Sequence, residues 1–337
     1  MTTSTRLGPA AVSAVLLLAV TGCVAGEDSG GGSGSDGASV ELRLDWAYYN
    51  PESLVIREQG WLEDELADQD VTVSWLQSLG SNKANENLRA GAVDFGSTAG
   101  TPALLARANG TELRTVSVYS QPEWSAIVVP ADSDIDSVAE LAGRQVAATR
   151  GTDPYFFLLQ ALREAGLDAA DVSVVNLQHP DGRTALERGQ VDAWAGLDPY
   201  TAQTELEAGS RLVYRNLDFN SYGFLNVSEE FLDAHPELVQ TVVDAYERAR
   251  AWILDHPDEA VDILAEAAGV STEVAERQLL DRTRLDISPV PGDEHRAVLE
   301  RVAPLLVAER QVPDEESVTE ALDTLFAPEF ATAAADR

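Results

Sequence analysis

Leu88-Arg89-Ala90-Gly91-Ala92-Val93-Asp94 is answered 98 residues later by Leu186-Glu187-Arg188-Gly189-Gln190-Val191-Asp192. Each stretch reads as the end of a helix, a glycine stop and the start of a strand, because glycine takes the left-handed backbone that closes a helix. The strand upstream is echoed as well. Val71-Thr72-Val73 with Leu76-Gln77 matches Val172-Ser173-Val174 with Leu177-Gln178 at an offset of 101. Nearly equal offsets pair whole strand-helix-strand units. Two copies predict two α/β lobes, since a stacked solenoid needs three or more repeats.

Outward from the echo, the chain alternates strand and helix. Residues 40–46 (VELRLDW) and 71–77 (VTVSWLQ) alternate apolar and polar positions as strands do, while residues 51–66 place Leu54, Ile56, Trp61 and Leu62 at helical spacing. Helices over 82–89 and 102–108 bracket a strand at 93–96, and 113–119 completes the first run. A second run has strands at 126–130, 145–148, 172–177 and 191–194, with helices at 138–141, 154–165, 183–188 and 199–206. This interleaving predicts parallel or mixed sheets covered on both faces. From Glu229 onward the pattern is almost entirely helical, acidic and amphipathic, as packing elements with a solvated face would be.

Composition narrows the function classes. The 337 residues hold 23 Lys plus Arg against 57 Asp plus Glu, a net charge of −34, which excludes a nucleic-acid partner because phosphate binding needs a basic face. Lys83 is the single lysine. Length suggests two domains, or one large one, and 45% apolar residues are enough for a core. One cysteine, Cys23, rules out an intramolecular disulfide and a cysteine-based metal cluster. His179, His235, His256 and His295 are scattered without ligand spacing, so no metal site is expected. With no nucleophile elbow and no phosphate loop, neither a catalytic residue nor a cofactor is expected.

The first forty residues read as an address. Arg6 precedes an apolar run at 10–20 (AAVSAVLLLAV), too short to span a bilayer and right for a secretory signal over 1–22. Val20-Thr21-Gly22-Cys23 resembles the lipobox of bacterial lipoproteins, which implies cleavage before Cys23 and acylation of its thiol. Residues 23–39 then form a Gly/Ser-rich tether expected to be flexible coil. The expected location is the outer face of the cell membrane, held by the lipid alone.

Candidate chemistry sits at strand ends. Gly100-Thr101-Pro102, Gly151-Thr152-Asp153-Pro154 and Leu197-Asp198-Pro199 share a turn, a capping side chain and a proline read as the first helical residue; Gly80-Ser81-Asn82 is a fourth turn without proline. Helix starts at the carboxyl edge of a sheet present bare N–H groups where open α/β sheets bind ligands, and the helix dipole favours an anion there. Taken singly, Thr101, Asp153 and Asp198 would be ordinary caps contributing about 1 kcal/mol each. Four such ends in two lobes favour a site.

Three stretches carry a family resemblance. Ala90-Gly91-Ala92-Val93-Asp94-Phe95-Gly96, then Val138-Ala139-Glu140-Leu141-Ala142-Gly143-Arg144-Gln145-Val146-Ala147, then Val191-Asp192-Ala193-Trp194 with Asp198-Pro199-Tyr200, resemble the substrate-binding proteins of bacterial ABC importers for aliphatic sulfonates, taurine and nitrate. The likeness runs from about residue 40 to at least 263 and takes in His235-Pro236 and His256-Pro257. It implies an α/β fold of two doubly wound lobes joined by two hinge crossings, the periplasmic binding protein type II arrangement, with C-terminal helices packed on the first lobe. Lobe 1 would comprise 40–122 plus 219–337 and lobe 2 123–218, with crossings near 121–124 and 217–222. The protein is expected to act as a monomer and to close on its ligand.

Carried over by position, the resemblance implies a ligand wall of Tyr48, Tyr49, Ser81, Asn82, Thr98, Ala99, Gly100, Thr101, Trp124, Gly151, Thr152, Asp153 and Asp198. Ser81, Thr98, Thr101 and Thr152 would donate hydroxyls to a sulfonate, and Gly100 and Gly151 would let backbone N–H groups approach. Tyr48, Tyr49 and Trp124, with Tyr155 or Tyr222, would cover an organic tail. The function implied is capture of an alkanesulfonate outside the cell and delivery to an ABC permease. Alternatives are taurine, with Asp198 meeting the ammonium, nitrate, or a thiamine-pyrimidine precursor. A rival enzyme on the same fold would need Lys83 as its Schiff-base amine, because Cys23 lies in the leader.

Overall fold

The computed structural model describes residues 39–337. The expected signal, the acylated Cys23 and the tether as far as residue 38 lie outside the described residues. The strands are β1 (Val40–Trp46), β2 (Val71–Gln77), β3 (Phe95–Ala99), β4 (Leu113–Pro122), β5 (Ser125–Val129), β6 (Gln145–Ala148), β7 (Ser173–Asn176), β8 (Ala193–Leu197), β9 (Arg211–Tyr214), β10 (Gly223–Ser228) and β11 (Thr283–Arg284). The helices are α1 (Pro51–Gln59), α2 (Trp61–Leu66), α3 (Ser81–Arg89), α4 (Gly100–Ala108), α5 (Asp153–Glu164), α6 (His179–Glu187), α7 (Tyr200–Ala208), α8 (Glu229–Ala234), α9 (Pro236–Asp255), α10 (Pro257–Ala268), α11 (Thr272–Glu276), α12 (Asp293–Ala308), α13 (Glu315–Thr324) and α14 (Glu329–Ala335).

Two sheets result, in the orders β2-β1-β3-β10-β4-β11 and β7-β6-β8-β5-β9. Strand for strand, the first five positions correspond. β1 runs parallel to β2 and β3, and β3 antiparallel to β10; likewise β6 runs parallel to β7 and β8, and β8 antiparallel to β5. The chain leaves the first sheet between β4 and β5 and returns between β9 and β10, as the two expected crossings require.

The sequence echo marks equivalent joints. Gly91 and Gly189 have φ of 63° and 64°, and a Cβ built at either would meet nothing within 4 Å, so the backbone alone demands glycine. After each glycine comes an aspartate that clamps the neighbouring strand. Asp94 Oδ2 accepts from Arg43 N at 2.8 Å while Asp94 N donates to Arg43 O at 2.8 Å. Asp192 repeats this on Gln145, with 2.7 Å and 2.9 Å.

Both β3 and β8 are buried along their whole length, because helices cover both faces of each sheet. One face of the first sheet packs Leu42, Leu44 and Phe95 against α1 and α9 through Ile56, Val242 and Tyr246. Its other face joins α4, α12 and α13, and this core continues through α5 into the second sheet. Trp194 of β8 is buried against Ala185 and Leu186 of α6 on the far side. The C-terminal helices α9, α13 and α14 thus pack on elements of the first sheet, α13 against α4 and α14 against β4.

Some expectations shift. Residues 138–141 form one 3-10 turn boxed by Ser137 and Glu140. None of the three prolines is the first helical residue: Pro102 is third in α4, Pro154 second in α5, and Pro199 precedes α7. The first four N–H groups of a helix lack partners, so proline fits anywhere in that turn. The C-terminal half is not purely helical either, since β11 adds an edge strand beside β4.

Candidate functional site

The carboxyl ends of β1 and β3 in the first sheet face those of β6 and β8 in the second, and the turns that follow these strands meet in a crevice. Tyr49, Ser81, Trp124, Thr152, Asp153, Pro154 and Leu197 surround a cavity of about 10 Å³, room for a single water. Tyr49 and Trp124 meet edge to face at 5.8 Å and, with Ala47, Ala99 and Leu197, fill the gap. Entry of a sulfonate therefore requires the sheets to part. A roomier hollow of about 510 Å³ lies on the surface between α12 and α13, where Ala303, Pro304 and Val307 make it a helix seam far from any strand end.

Several wall residues are committed to the protein itself. Gly100 N donates to Ser221 O at 2.6 Å and Thr101 N to Ser221 Oγ at 2.8 Å, so the crossing segment occupies the amide end of α4. A Cβ at Gly100 would stand 3.0 Å from Phe224 and from Ser221 O, so its glycine serves strand packing and not ligand approach. Thr98 Oγ1 accepts from Asn226 Nδ2 at 2.8 Å inside the sheet. Thr152 donates to Thr149 O at 2.6 Å, and Ser81 Oγ accepts from Ala99 N at 3.0 Å. Tyr48 meets Tyr200 of the second sheet's α7 edge to face at 6.5 Å. Tyr155 bonds Arg150 and Tyr222 packs on His295, so neither covers the crevice.

The two aspartates do different work from that expected. Asp153 is no cap: its carboxylate accepts from Trp124 Nε1 at 3.0 Å, Ser221 N at 2.8 Å and Ser221 Oγ at 2.5 Å, tying α5 to both crossings. Burial pushes Asp153 up to about 6, against the pull of those hydrogen bonds. Asp198 accepts from Ala202 N at 3.0 Å and from the Thr201 hydroxyl, so it does cap α7. It also takes Arg282 Nη1 at 3.1 Å, while Arg282 Nη2 reaches Glu205 at 2.5 Å. The cation expected from a zwitterionic ligand is thus supplied by the chain's own guanidinium.

What remains open is a set of buried polar atoms without partners among the described residues. They include Gln77 Nε2, Asn82 Oδ1, Gln178 Oε1 and His179 Nε2. Gln77 and Gln178 are the paired glutamines of the echo, Gln77 closing the edge strand β2 and Gln178 lying two residues beyond the edge strand β7, just before α6. A Cβ placed on Gly80 would lie 3.0 Å from both Asn82 Oδ1 and His179 Nε2, and one on Gly151 3.7 Å from Asn82 Cβ. The start of α3 therefore faces the starts of α5 and α6 across the two sheets. Ser81 and Asn82 N–H, as first residues of α3, have no acceptor within their helix. His179 is fully buried, and burial alone pushes it down to about 3, so its ring is neutral. Sequence reasoning missed His179, Ser221 and Arg282. Only the glutamine pair carried a signal, through the echo.

The family model described as NMT1/THI5 like matches residues 53–260, a span that includes both crossings and the starts of α3, α4, α5, α6 and α7. The chain belongs to the NMT1/THI5-like family. A relative from Escherichia coli (strain K12), named for binding aliphatic sulfonates, is 32% identical over 243 residues, 72% of this chain and 76% of its own length. Another so named, from Bacillus subtilis (strain 168), is 27% identical over 79% of this chain and 81% of its own. Among solved structures, the alkanesulfonate-binding protein SsuA from Xanthomonas axonopodis pv. citri, bound to MOPS, superposes with a TM-score of 0.76 at 25% identity, covering 84% of this chain and 97% of its own. The expected periplasmic-binding-protein fold, two sheets with C-terminal helices, is borne out by this match.

Proposed function

We propose that this NMT1/THI5-like protein is an extracytoplasmic solute-binding protein that captures a small organosulfonate between its two sheets and hands it to an ABC import permease. The observation that carries the reading is the meeting of α3, α5 and α6 starts from opposite sheets around buried polar atoms that lack protein partners. Such an arrangement suits an oxyanion: each hydrogen bond to a charged group contributes about 1.5–3 kcal/mol, and no lysine is needed. The net charge of −34 does not forbid it, because a Debye length of about 8 Å leaves the local dipoles in control. The sulfonate binding named for the relatives supports that ligand class over nitrate.

Binding, not turnover, fits the residues present. Lys83 Nζ bonds Glu86 at 2.6 Å with both side chains exposed, which leaves the crevice without an amine for a Schiff base. A melting panel tests the assignment: an alkanesulfonate at 100 times its Kd adds about 2.7 kcal/mol to stability, while nitrate and thiamine-pyrimidine precursors leave the transition in place. Taurine is expected to shift it less than an alkanesulfonate, because Arg282 already occupies Asp198. A shift with nitrate alone would move the protein to the inorganic branch.

The proposal includes the anchor. With Cys23 acylated, the folded part is held at the extracytoplasmic face of the cell membrane on its tether, and Cys23→Ala releases the protein into the medium. Retention of that variant in the membrane fraction would refute the anchor without touching the binding reading.

A further inference from the structure

The unpartnered nitrogen of the buried His179 lies beside the Gly80 turn of the other sheet, and the hydrogen bonds around the ring say which nitrogen holds the proton. The Thr149 hydroxyl has a single hydrogen, directed to Leu177 O at 2.6 Å. Its oxygen lies 3.2 Å from His179 Nδ1, so Nδ1 is the donor of that contact. A neutral ring then carries a bare lone pair on Nε2, the atom that has no partner among the described residues and that faces Gly80 and Asn82 of the other sheet. A bare lone pair repels an oxyanion. It cannot donate to one.

We infer that His179 takes up a proton as the sulfonate binds and donates its Nε2–H to a sulfonate oxygen, making it a specificity residue in the second lobe. This rests on the sulfonate reading above. The proton goes from solvent to Nε2 and no covalent bond of the ligand changes. Before binding, burial keeps the ring of His179, the first residue of α6, neutral. The charged groups on the packed elements are held by other partners: on α7, which packs on α6, Glu205 accepts from Arg282 and Glu207 from Gln203. Lys83 of α3 is bonded to Glu86, Arg150 before α5 to Tyr155, and Asp153 of α5 to Trp124 and Ser221. On α6 itself Arg183 pairs with Glu187, and Asp181 lies exposed on the helix surface. A bound anion supplies the missing negative charge and raises the ring's affinity for a proton. The sign follows: binding is strongest below the free ring's titration and weakens as pH rises through that of the complex.

Calorimetric titration of the full chain with hexanesulfonate, at steps from about pH 4 to 7 and in two buffers of different ionisation enthalpy at each step, counts the protons. The expected result is proton absorption that peaks between the titration of the free ring and that of the complex, with an affinity that falls by up to about tenfold per pH unit across that window and flattens above it. The ligand cannot be the base, since a sulfonate stays ionised throughout. His179→Gln should bind more weakly, absorb no proton and show a flat pH profile; His179→Asn replaces it if the glutamine variant melts below the assay temperature. Zero uptake by the unaltered protein, or uptake that survives in the variant, overturns the inference while leaving sulfonate binding intact. Absence of any sulfonate heat in either buffer overturns the functional reading and the inference with it.

Discussion

Glu52, in the first turn of α1, has nowhere to put a charge. It is fully buried, and neither carboxyl oxygen has a partner among the described residues. Burial pushes it up to about 8, with Arg250 offsetting part of the shift. The acid is therefore neutral at pH 7, and the sign of its effect is set. A group whose titration is raised on folding favours the fold at low pH, and that advantage is lost as pH rises from the ordinary carboxyl range through about 8. Glu52→Gln keeps the shape and removes the ionisation. Denaturant unfolding at about pH 6 and pH 9 should show the unaltered protein losing stability with alkali and the variant losing much less. Equal losses in both would mean that Glu52 is charged or solvated in the folded state.

At the scale of elements, Arg282 joins the sheets. It stands just before β11, which pairs with Gln121 and Pro122 of β4, and its guanidinium reaches across to Asp198 at the end of β8 and Glu205 on α7. The Arg282 and Asp198 side chains are 3% and 1% exposed, so neither could stay charged alone without a heavy desolvation cost. Arg282→Ala strands Asp198 and should cost about 3–5 kcal/mol, of which the double variant with Asp198→Asn recovers part. A single variant as stable as the parent would show the pair to be idle. None of this was readable from the sequence. A two-residue strand has no periodicity, and the partners lie 84 residues apart with no local pattern to connect them. By contrast, the Gly91 and Gly189 joints were legible because their demand, a left-handed backbone between a helix and a strand, is met within a few residues.

For the molecule as a whole, the same distinction holds. Alternating periods and the echo pointed to two α/β units, the family resemblance supplied the chain's two passages between them, and the turns after the strands marked where the crevice would be. Which atoms face it was not legible. Ser221 takes the amides of α4 from 120 residues away, a pairing decided by packing and not by neighbouring residues. The shared strand order hides one asymmetry. All five strands of the second sheet come from one unbroken stretch, 125–214, whereas β10 must slot between β3 and β4 from beyond it. Closing that slot waits on a loop of more than a hundred residues, and long-range pairings form late. During refolding, pulse-labelled amides of β5–β9 should gain protection before those of β3 and β4; simultaneous protection would contradict this. The second unit can thus mature on its own, and the first stays an unfinished sheet with an unpaired edge until the chain comes back, which is the interval in which this protein is most exposed to aggregation.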